Sequence, residues 1–402
     1  ARMPAAAPLL LLGAAAAAAA SRSQRVAQGG APPTDPGPGV RYAGFLREFN
    51  LSLLREGPSA RRAREELFER RSAQVQALNG LASASWRATV NRFADHTDDE
   101  LKAHFGFRSA AWGRPAPAAS FLRRRAHADR RAAGPGLPEE VDWTARLASG
   151  RRVLYQGMCG SCWAVAATGA LETHMEIAHG NASELSYEQI LHCTPNPRNC
   201  GGPGGCGGAT SELAFEYVRE HGIDADRFAE GACDARGDDR ARVMVSGFVK
   251  LPANQATPLM EAVASRGPVV VGVDASNWFP YESGVFTACD ENPVIGHAVL
   301  LMGYGAVPGA RYWLIRNSWG EGWGERGFIR LFRYGGEGDD SHCGVDSDPQ
   351  QGVGCDGGPS QVTVCGMCGI LADAAYPVGL DVVPARLART ASASRPGRAA
   401  LG

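Results

Sequence analysis

Between Tyr42 and Phe107 apolar residues recur one helical turn apart on a strongly charged background. Phe45 and Phe49 are spaced i, i+4, and Leu67, Phe68, Val75 and Leu78 continue the stripe. This spacing predicts amphipathic helices, which need a partner to cover the apolar face. The texture changes after Leu137. Residues 159–178 are small and apolar with few interruptions and predict one buried helix, and 211–221 and 258–266 predict shorter helices. Short, β-rich apolar runs follow at 268–273, 297–304, 311–316 and 327–333. Helices first and strands later predict an α+β fold with two packed halves.

Several stretches carry no such pattern. Residues 21–39, rich in Pro, Gly and Ser, read as a linker. Residues 108–136 read as a second linker, with Arg123, Arg124, Arg125, Arg130 and Arg131 inside it. Basic runs in an exposed linker are favoured sites of proteolytic nicking. Residues 381–402 are mostly Ala, Arg, Ser and Pro and read as a disordered tail. Ala1 and Arg2 precede Met3, and from Ala5 to Ala20 every residue is Ala, Leu, Pro or Gly. Residues 1–20 therefore read as a signal peptide cleaved near Ala20, with a low-complexity alanine tract as the plainer alternative. No later stretch is apolar for long enough to span a bilayer, so no stable membrane insertion is expected after signal removal.

Composition narrows the function classes. The 402 residues carry a net charge of -1, which supplies no basic field for nucleic acid. All eleven cysteines fall between Cys159 and Cys368. An odd count behind a secretory signal predicts disulfides plus one free thiol. The sequons at Asn50 and Asn181 fit that compartment and add little.

Cys159 and Cys162, in QGMCGSCW, admit three readings: a redox pair, half of a metal site, or a disulfide half beside a free nucleophile. A redox pair needs a βαβ unit around it, and no strand–helix–strand pattern is present. A zinc site would need Cys365 and Cys368, whose spacing from the first pair lies far outside ordinary zinc modules. A nucleophile needs a base, an orienting group and an oxyanion donor. Cys162 opens the apolar helix, where unpaired N–H groups favour a thiolate. His297 opens one strand-like run and Asn317 closes another, followed by Ser318, Trp319 and Gly320. Alone, such a His is more often structural, and such an Asn more often a turn residue.

Taken together, QGMCGSCW, then GHAV 135 residues beyond Cys162, then RNSWGEGWGERGF resemble the papain-like cysteine peptidases, over roughly residues 40–377. The resemblance implies a two-lobed fold, a helical lobe and an antiparallel β-barrel-like lobe, preceded by a helical prodomain. It implies an autoinhibited zymogen of a cysteine endopeptidase that forms an acyl-enzyme, acts on peptides or proteins, needs no metal or organic cofactor and works as a monomer. Its expected destination is the lysosome or vacuole, or the cell exterior. Cys162 would be the nucleophile, His297 its imidazolium partner, and Asn317 the group orienting the imidazole. Trp319 would shield that hydrogen bond, and Gln156 would serve the oxyanion with the Cys162 N–H. A non-catalytic papain-like binding or inhibitor protein is the alternative, which loss of the nucleophile or base would favour.

The same resemblance pairs Cys159 with Cys206, Cys193 with Cys233 and Cys289 with Cys368. Cys200, Cys343, Cys355 and Cys365 stay unassigned, partly inside an insertion at about 335–364, and Cys200 competes with Cys206 for Cys159. Residues 40–107 resemble the inhibitory propeptide: Arg64, Phe68, Val75 and Asn79 fall at its signature spacing, as do Asn91, Phe93 and Asp95. Ala60 and Arg71 depart from it, standing where Glu and Asn are usual. Protonation of Asp95, Asp98, Asp99 and Glu100 is the expected acid trigger for its release. Cleavage is expected between about Arg131 and Leu137, which opens a peptidase domain at 137–380. Gly207 and Gly208 would offer backbone to an extended substrate. Asp373 would floor the main specificity pocket and admit Arg, unless it merely faces solvent or caps a turn. Gly296 stands where many members carry Asp. No adjacent histidine pair supports carboxydipeptidase activity.

Overall fold

A computed structural model describes residues 38–51, 57–81, 84–105, 136–224, 233, 242–335 and 337–383. The expected signal peptide, most of both linkers and the tail beyond residue 383 lie outside the described residues. The chain divides into two compact units, Ala1–Ser52 and Leu53–Gly402. The first holds helix α1 (Pro38–Glu48), near whose end the Phe45 and Phe49 rings lie 5.2 Å apart.

The second unit begins with α2 (Pro58–Asn79), whose Pro58 fits the first turn because its missing N–H would be unpaired there. Its buried residues Phe68, Arg71 and Val75 share one face. Strand β1 (Trp86–Ala88) follows, then α3 (Asp98–Lys102), which starts with a capping box between Thr97 and Glu100. Side chains tie these pieces together. Asn79 donates to the Ala88 carbonyl at 2.8 Å and accepts from its N–H at 2.9 Å. Arg64 makes a two-pronged contact with Glu100 at 2.6 and 2.8 Å. Arg71 lies buried and donates to the carbonyls of Phe93, Ala94 and His96.

Beyond the second linker come β2 (Val141–Asp142), α4 (Cys162–His179), α5 (Tyr187–Cys193), α6 (Ser211–His221), β3 (Ile223–Asp224), β4 (Arg242–Met244), β5 (Gly247–Lys250) and α7 (Ala256–Ser265). The strands β6 (Val269–Val273), β7 (Tyr281–Phe286), β8 (His297–Val307), β9 (Ala310–Arg316) and β10 (Phe328–Arg333) follow. The chain then forms α8 (Glu337–Ser341), β11 (Cys343–Asp346), β12 (Val362–Cys365), β13 (Ala374–Val378) and β14 (Asp381–Val383).

Among the described residues the main sheet has nine strands, in the order β1-β7-β10-β9-β8-β6-β13-β5 with β2 on β8. Its pairs are antiparallel except β7 with β10. The sheet is open rather than closed into a barrel, because β1 and β5 pair with one neighbour each. Strand β1, from the segment expected to be the propeptide, is thus an edge strand of the main sheet. Gly284 makes that pairing possible: its φ is +96°, and a Cβ there would lie 2.5 Å from the Ser85 carbonyl oxygen.

Two buried apolar clusters flank the cleft. One joins α4, α5 and α6 to one face of the sheet, including Val270, Leu300, Met302 and Ala375. The other packs α7 and the opposite face around Trp278, Phe279, Trp313, Trp319 and Trp323. Propeptide residues Trp86, Phe93, Leu101 and Phe105 belong to this second cluster. Val75 and Leu78 of the α2 stripe join the same cluster, so part of its apolar face is covered there.

Candidate active site

Cys162 is the first residue of α4, buried at the boundary between the two clusters. It is the free cysteine, since the other ten are bridged. Cys159 joins Cys206, Cys193 joins Cys233 and Cys289 joins Cys368, in the pairing that the resemblance implied. The four unassigned cysteines form Cys200–Cys355 and Cys343–Cys365. The Cys159 bridge pins the loop between Gln156 and α4, so the Cys-x-x-C motif is half tether and half free thiol. Among the described residues no group of three His, Cys, Asp or Glu is placed to hold a metal ion.

His297 opens β8 and Asn317 follows β9. These strands are antiparallel neighbours, and their pairing brings together residues twenty positions apart. His297 Nε2 lies 2.8 Å from Asn317 Oδ1, which also accepts the Ser318 N–H at 2.8 Å. An accepting oxygen places the imidazole proton on Nε2 and leaves Nδ1 with its lone pair. Nδ1 is buried and has no hydrogen-bond partner among the described residues. Cys162 lines the same cavity as His297, and its Sγ accepts from the Ala298 N–H at 3.5 Å. The Trp319 ring stacks on the imidazole at 5.2 Å and on Phe279 at 4.6 Å, sealing one side of the pair from water.

Gln156 is held by its backbone N–H on the Ser318 carbonyl at 2.9 Å, and its Oε1 accepts from the Ser318 hydroxyl. Its Nε2 donates to the Cys159 carbonyl at 2.7 Å and to the propeptide carbonyl of His104 at 2.8 Å. The Phe105 ring stands edge-on against His297 at 5.7 Å. Propeptide atoms thus occupy the space next to Gln156 and His297. Burial lowers the His297 pKa to about 4, against the pull of its Asn317 hydrogen bond. In this closed form burial thus favours the neutral imidazole.

Asp373 lines the cavity beside Cys162 and His297, as does Glu212 of α6. Asp373 is salt-bridged to Lys250 at 2.7 Å rather than turned to solvent. Gly207 and Gly208 stand apart from this cavity. The Gly208 carbonyl accepts from the Gly204 N–H at 2.7 Å, and its own N–H reaches the Gly205 carbonyl at 3.3 Å. The backbone expected to pair with a substrate is engaged within its own loop. Sequence reasoning did not single out His104, Ser318, Glu212, Lys250 or the Gln351–Val353 segment for the site. Each is an ordinary residue for its local element, and only long-range packing brings it to the cleft.

The cleft between a helical half and a sheet half, with a cysteine at a helix start facing a histidine at a strand start, defines a thiol-dependent hydrolase. The chain belongs to the papain family of cysteine proteases, whose pattern it matches over residues 137–353. It is 34% identical over 273 residues to cathepsin S of Mus musculus, covering 65% of this chain and 75% of that one. It is 32% identical over 333 residues to the cysteine endopeptidase RepA of Oryza sativa subsp. japonica, covering 79% of this chain and 78% of that one. Among solved structures, digestive procathepsin L2 from the larval midgut of Tenebrio molitor is 28% identical, with a TM-score of 0.63, covering 85% of this chain and all of that one. The recombinant stem bromelain precursor is 26% identical, with a TM-score of 0.62, covering 86% of this chain and 99% of that one.

Proposed function

We propose that this cysteine protease is made as a zymogen in which residues 40–107 are the inhibitory propeptide, with the segment around His104 and Phe105 blocking the cleft, and residues 108–136 are the segment cut on activation. The observation that carries this reading is the hydrogen bond from Gln156 Nε2 to the His104 carbonyl. A peptide carbonyl sits on the donor that a developing oxyanion would use.

Once the propeptide leaves, Cys162 Sγ attacks the substrate carbonyl carbon, and the thiol proton resides on His297 Nδ1. Gln156 Nε2 and the Cys162 N–H hold the oxyanion. His297 then protonates the leaving amine, and water, activated by the same imidazole, hydrolyses the thioester. Asn317 keeps the imidazole in one tautomer, and Trp319 keeps water from their hydrogen bond. Peptides and proteins are the substrates, and the protein acts as a monomer. Five disulfides support passage through an oxidising compartment, hence the secretory pathway towards a lysosome, a vacuole or the exterior.

The test is acid activation of the purified full chain, followed with an acetyl-Phe-Arg amide and with E-64, comparing wild type with Cys162→Ser. Activity that appears as the first ~130 residues are lost, is blocked by E-64 and is absent from the variant supports the reading. Processed wild-type protein that stays inert under reducing conditions overturns it in favour of a non-catalytic scaffold.

A further inference from the structure

His297 stands at the very start of β8, where the strand has one neighbour. Val273 of β6 pairs with it, but β9 pairs with β8 only from Leu300 onward. The loop that leads into His297 therefore decides how firmly the imidazole is held. Three successive N–H groups of that loop are bonded. The Val294 N–H donates to Asp274 Oδ2 and the Gly296 N–H to the Val273 carbonyl, each at 3.2 Å and both at the end of β6. The Ile295 N–H, between them, donates instead to Asp346 Oδ2 at 3.1 Å.

Asp346 is the last residue of β11, inside the insertion. Its side chain is fully buried, and its other oxygen accepts the Asp348 N–H at 2.8 Å. The hairpin that carries it is anchored to the body of the protein. Cys343–Cys365 closes it, and Asn254 accepts from the Cys365 N–H and donates to the Thr363 carbonyl, both at 2.9 Å. The insertion also lies flat on the loop before His297. A Cβ on Gly344 would lie 2.1 Å from the Glu291 carbonyl oxygen, and one on Gly352 1.5 Å from that of Ile295. The Val345 N–H reaches Asn292 Oδ1 at 2.9 Å.

We propose that Asp346 is a positioning residue for His297. It fixes Ile295, two residues upstream, and thereby the direction in which the imidazole leaves the backbone to meet Cys162. Gly296, directly before the histidine, has no side chain to lock its own dihedrals, so the restraint has to come from its neighbours. A hydrogen bond to a carboxylate is among the stronger restraints available, and in a buried place no water can substitute for it. The insertion thus supplies a part of the reacting geometry. This rests on Cys162 and His297 being the reacting pair. The competing reading is that Asp346 merely holds the hairpin in place, as the Val345–Asn292 bond also does.

The test compares activated wild type with Asp346→Ala, Asp346→Asn and Asn292→Ala on an acetyl-Phe-Arg coumarin amide, with active sites counted by E-64 titration. Asp346→Ala should lower kcat per titrated site by about tenfold or more, the scale of a small misplacement of a reacting group, and leave KM within about twofold. Asp346→Asn keeps one accepting oxygen and should fall between it and wild type; it carries the test if the alanine variant does not fold. Asn292→Ala should lower the urea midpoint and leave kcat per site unchanged. The pH dependence of Cys162 alkylation by iodoacetamide is the second readout. A misplaced imidazole stabilises the thiolate less, so in the Asp346 variants the rise should move towards the free-thiol value of about 8.5. Both readouts are per active site and do not depend on the folded fraction. Wild-type kcat and alkylation profile in both Asp346 variants, or an equal loss in Asn292→Ala, overturns the positioning role and leaves the Cys162 reading intact. Wild-type enzyme that takes up no E-64 and turns over no substrate overturns both.

Discussion

The side-chain amide of Gln156 donates to the backbone carbonyl of His104, joining the proposed oxyanion donor to the segment proposed to block it. The adjacent Phe105 ring, buried between Phe279, Trp319 and His297, is the apolar anchor of that contact. Replacing a buried Phe by Ala costs about 3 kcal/mol or more, roughly a hundredfold in the docked-to-open ratio. Phe105→Ala should therefore give a leaky zymogen, with E-64 uptake by the unprocessed chain at neutral pH accelerated by about that factor. Uptake as slow as in wild type would remove Phe105 from the blocking contact.

In the processed enzyme, Gln156→Ala should lower kcat by about 10²–10³ and leave KM little changed, because the donor acts on charge that develops only in the transition state. A rise in KM at constant kcat would mean that Gln156 binds ground-state substrate instead.

Arg71 stands where Asn is usual in the propeptide signature, and its guanidinium reaches three backbone carbonyls in the Phe93–His96 turn. Arg71→Leu would remove this donor from all three carbonyls, of which Phe93 keeps the His96 N–H at 3.1 Å. It should destabilise the propeptide by about 2 kcal/mol or more, read as earlier loss of the full chain's proteolytic resistance in urea. Arg71→Asn, with a shorter donor, should recover only part of it.

Much of this architecture was legible because local pattern and tertiary role coincide. The helix predicted at 211–221 and the strand runs at 297–304 and 311–316 correspond to α6, β8 and β9, since each is both periodic and buried. The proposed catalytic residues Gln156, Cys162, His297 and Asn317 were legible because they sit at element boundaries with family-specific neighbours. Other parts left little local trace. Helix α5 is short, although Ser186 does accept from the Gln189 N–H as an N-cap should. Strand β7 contains Gly284, which reads as a break until β1 is seen to require it. The β11–β12 hairpin is separated by a Gly-rich loop and closed by Cys343–Cys365. Lys250 and Glu212 are separated by 38 positions, and only the packing of β5 against α6 brings them together.

The closed form also predicts a quiet thiol. With the His297 pKa near 4, the imidazole is neutral and stabilises no thiolate at pH 6. Iodoacetamide should alkylate Cys162 slowly in the unprocessed chain and at least about tenfold faster after activation, when water returns and the ion pair forms. Equal rates before and after processing would show that the propeptide leaves the pair unperturbed.

Acid release should depend on His104 more than on Glu100. At Glu100 burial alone would raise the pKa, but Arg64 and the Thr97 N–H outweigh it and bring it to about 2. Its stabilising contribution is complete above its ordinary value of 4.5 and is lost only between there and 2. His104 behaves oppositely. Burial lowers its pKa from 6.5 to about 3, aided by His96, His297 and Arg92. The released segment binds a proton that the docked one refuses, so docking is strongest above pH 6.5 and weakens as the pH falls towards 3. At pH 5 the linkage amounts to about 2 kcal/mol. His104→Phe keeps the carbonyl that Gln156 holds and removes the titration, so it should shift the pH midpoint of self-processing downward by about one unit. Glu100→Gln should instead speed processing at all pH values above 4.5 and leave the slope between 4.5 and 6.5 in place. If His104→Phe processes with the wild-type pH profile, protonation elsewhere in the propeptide drives release.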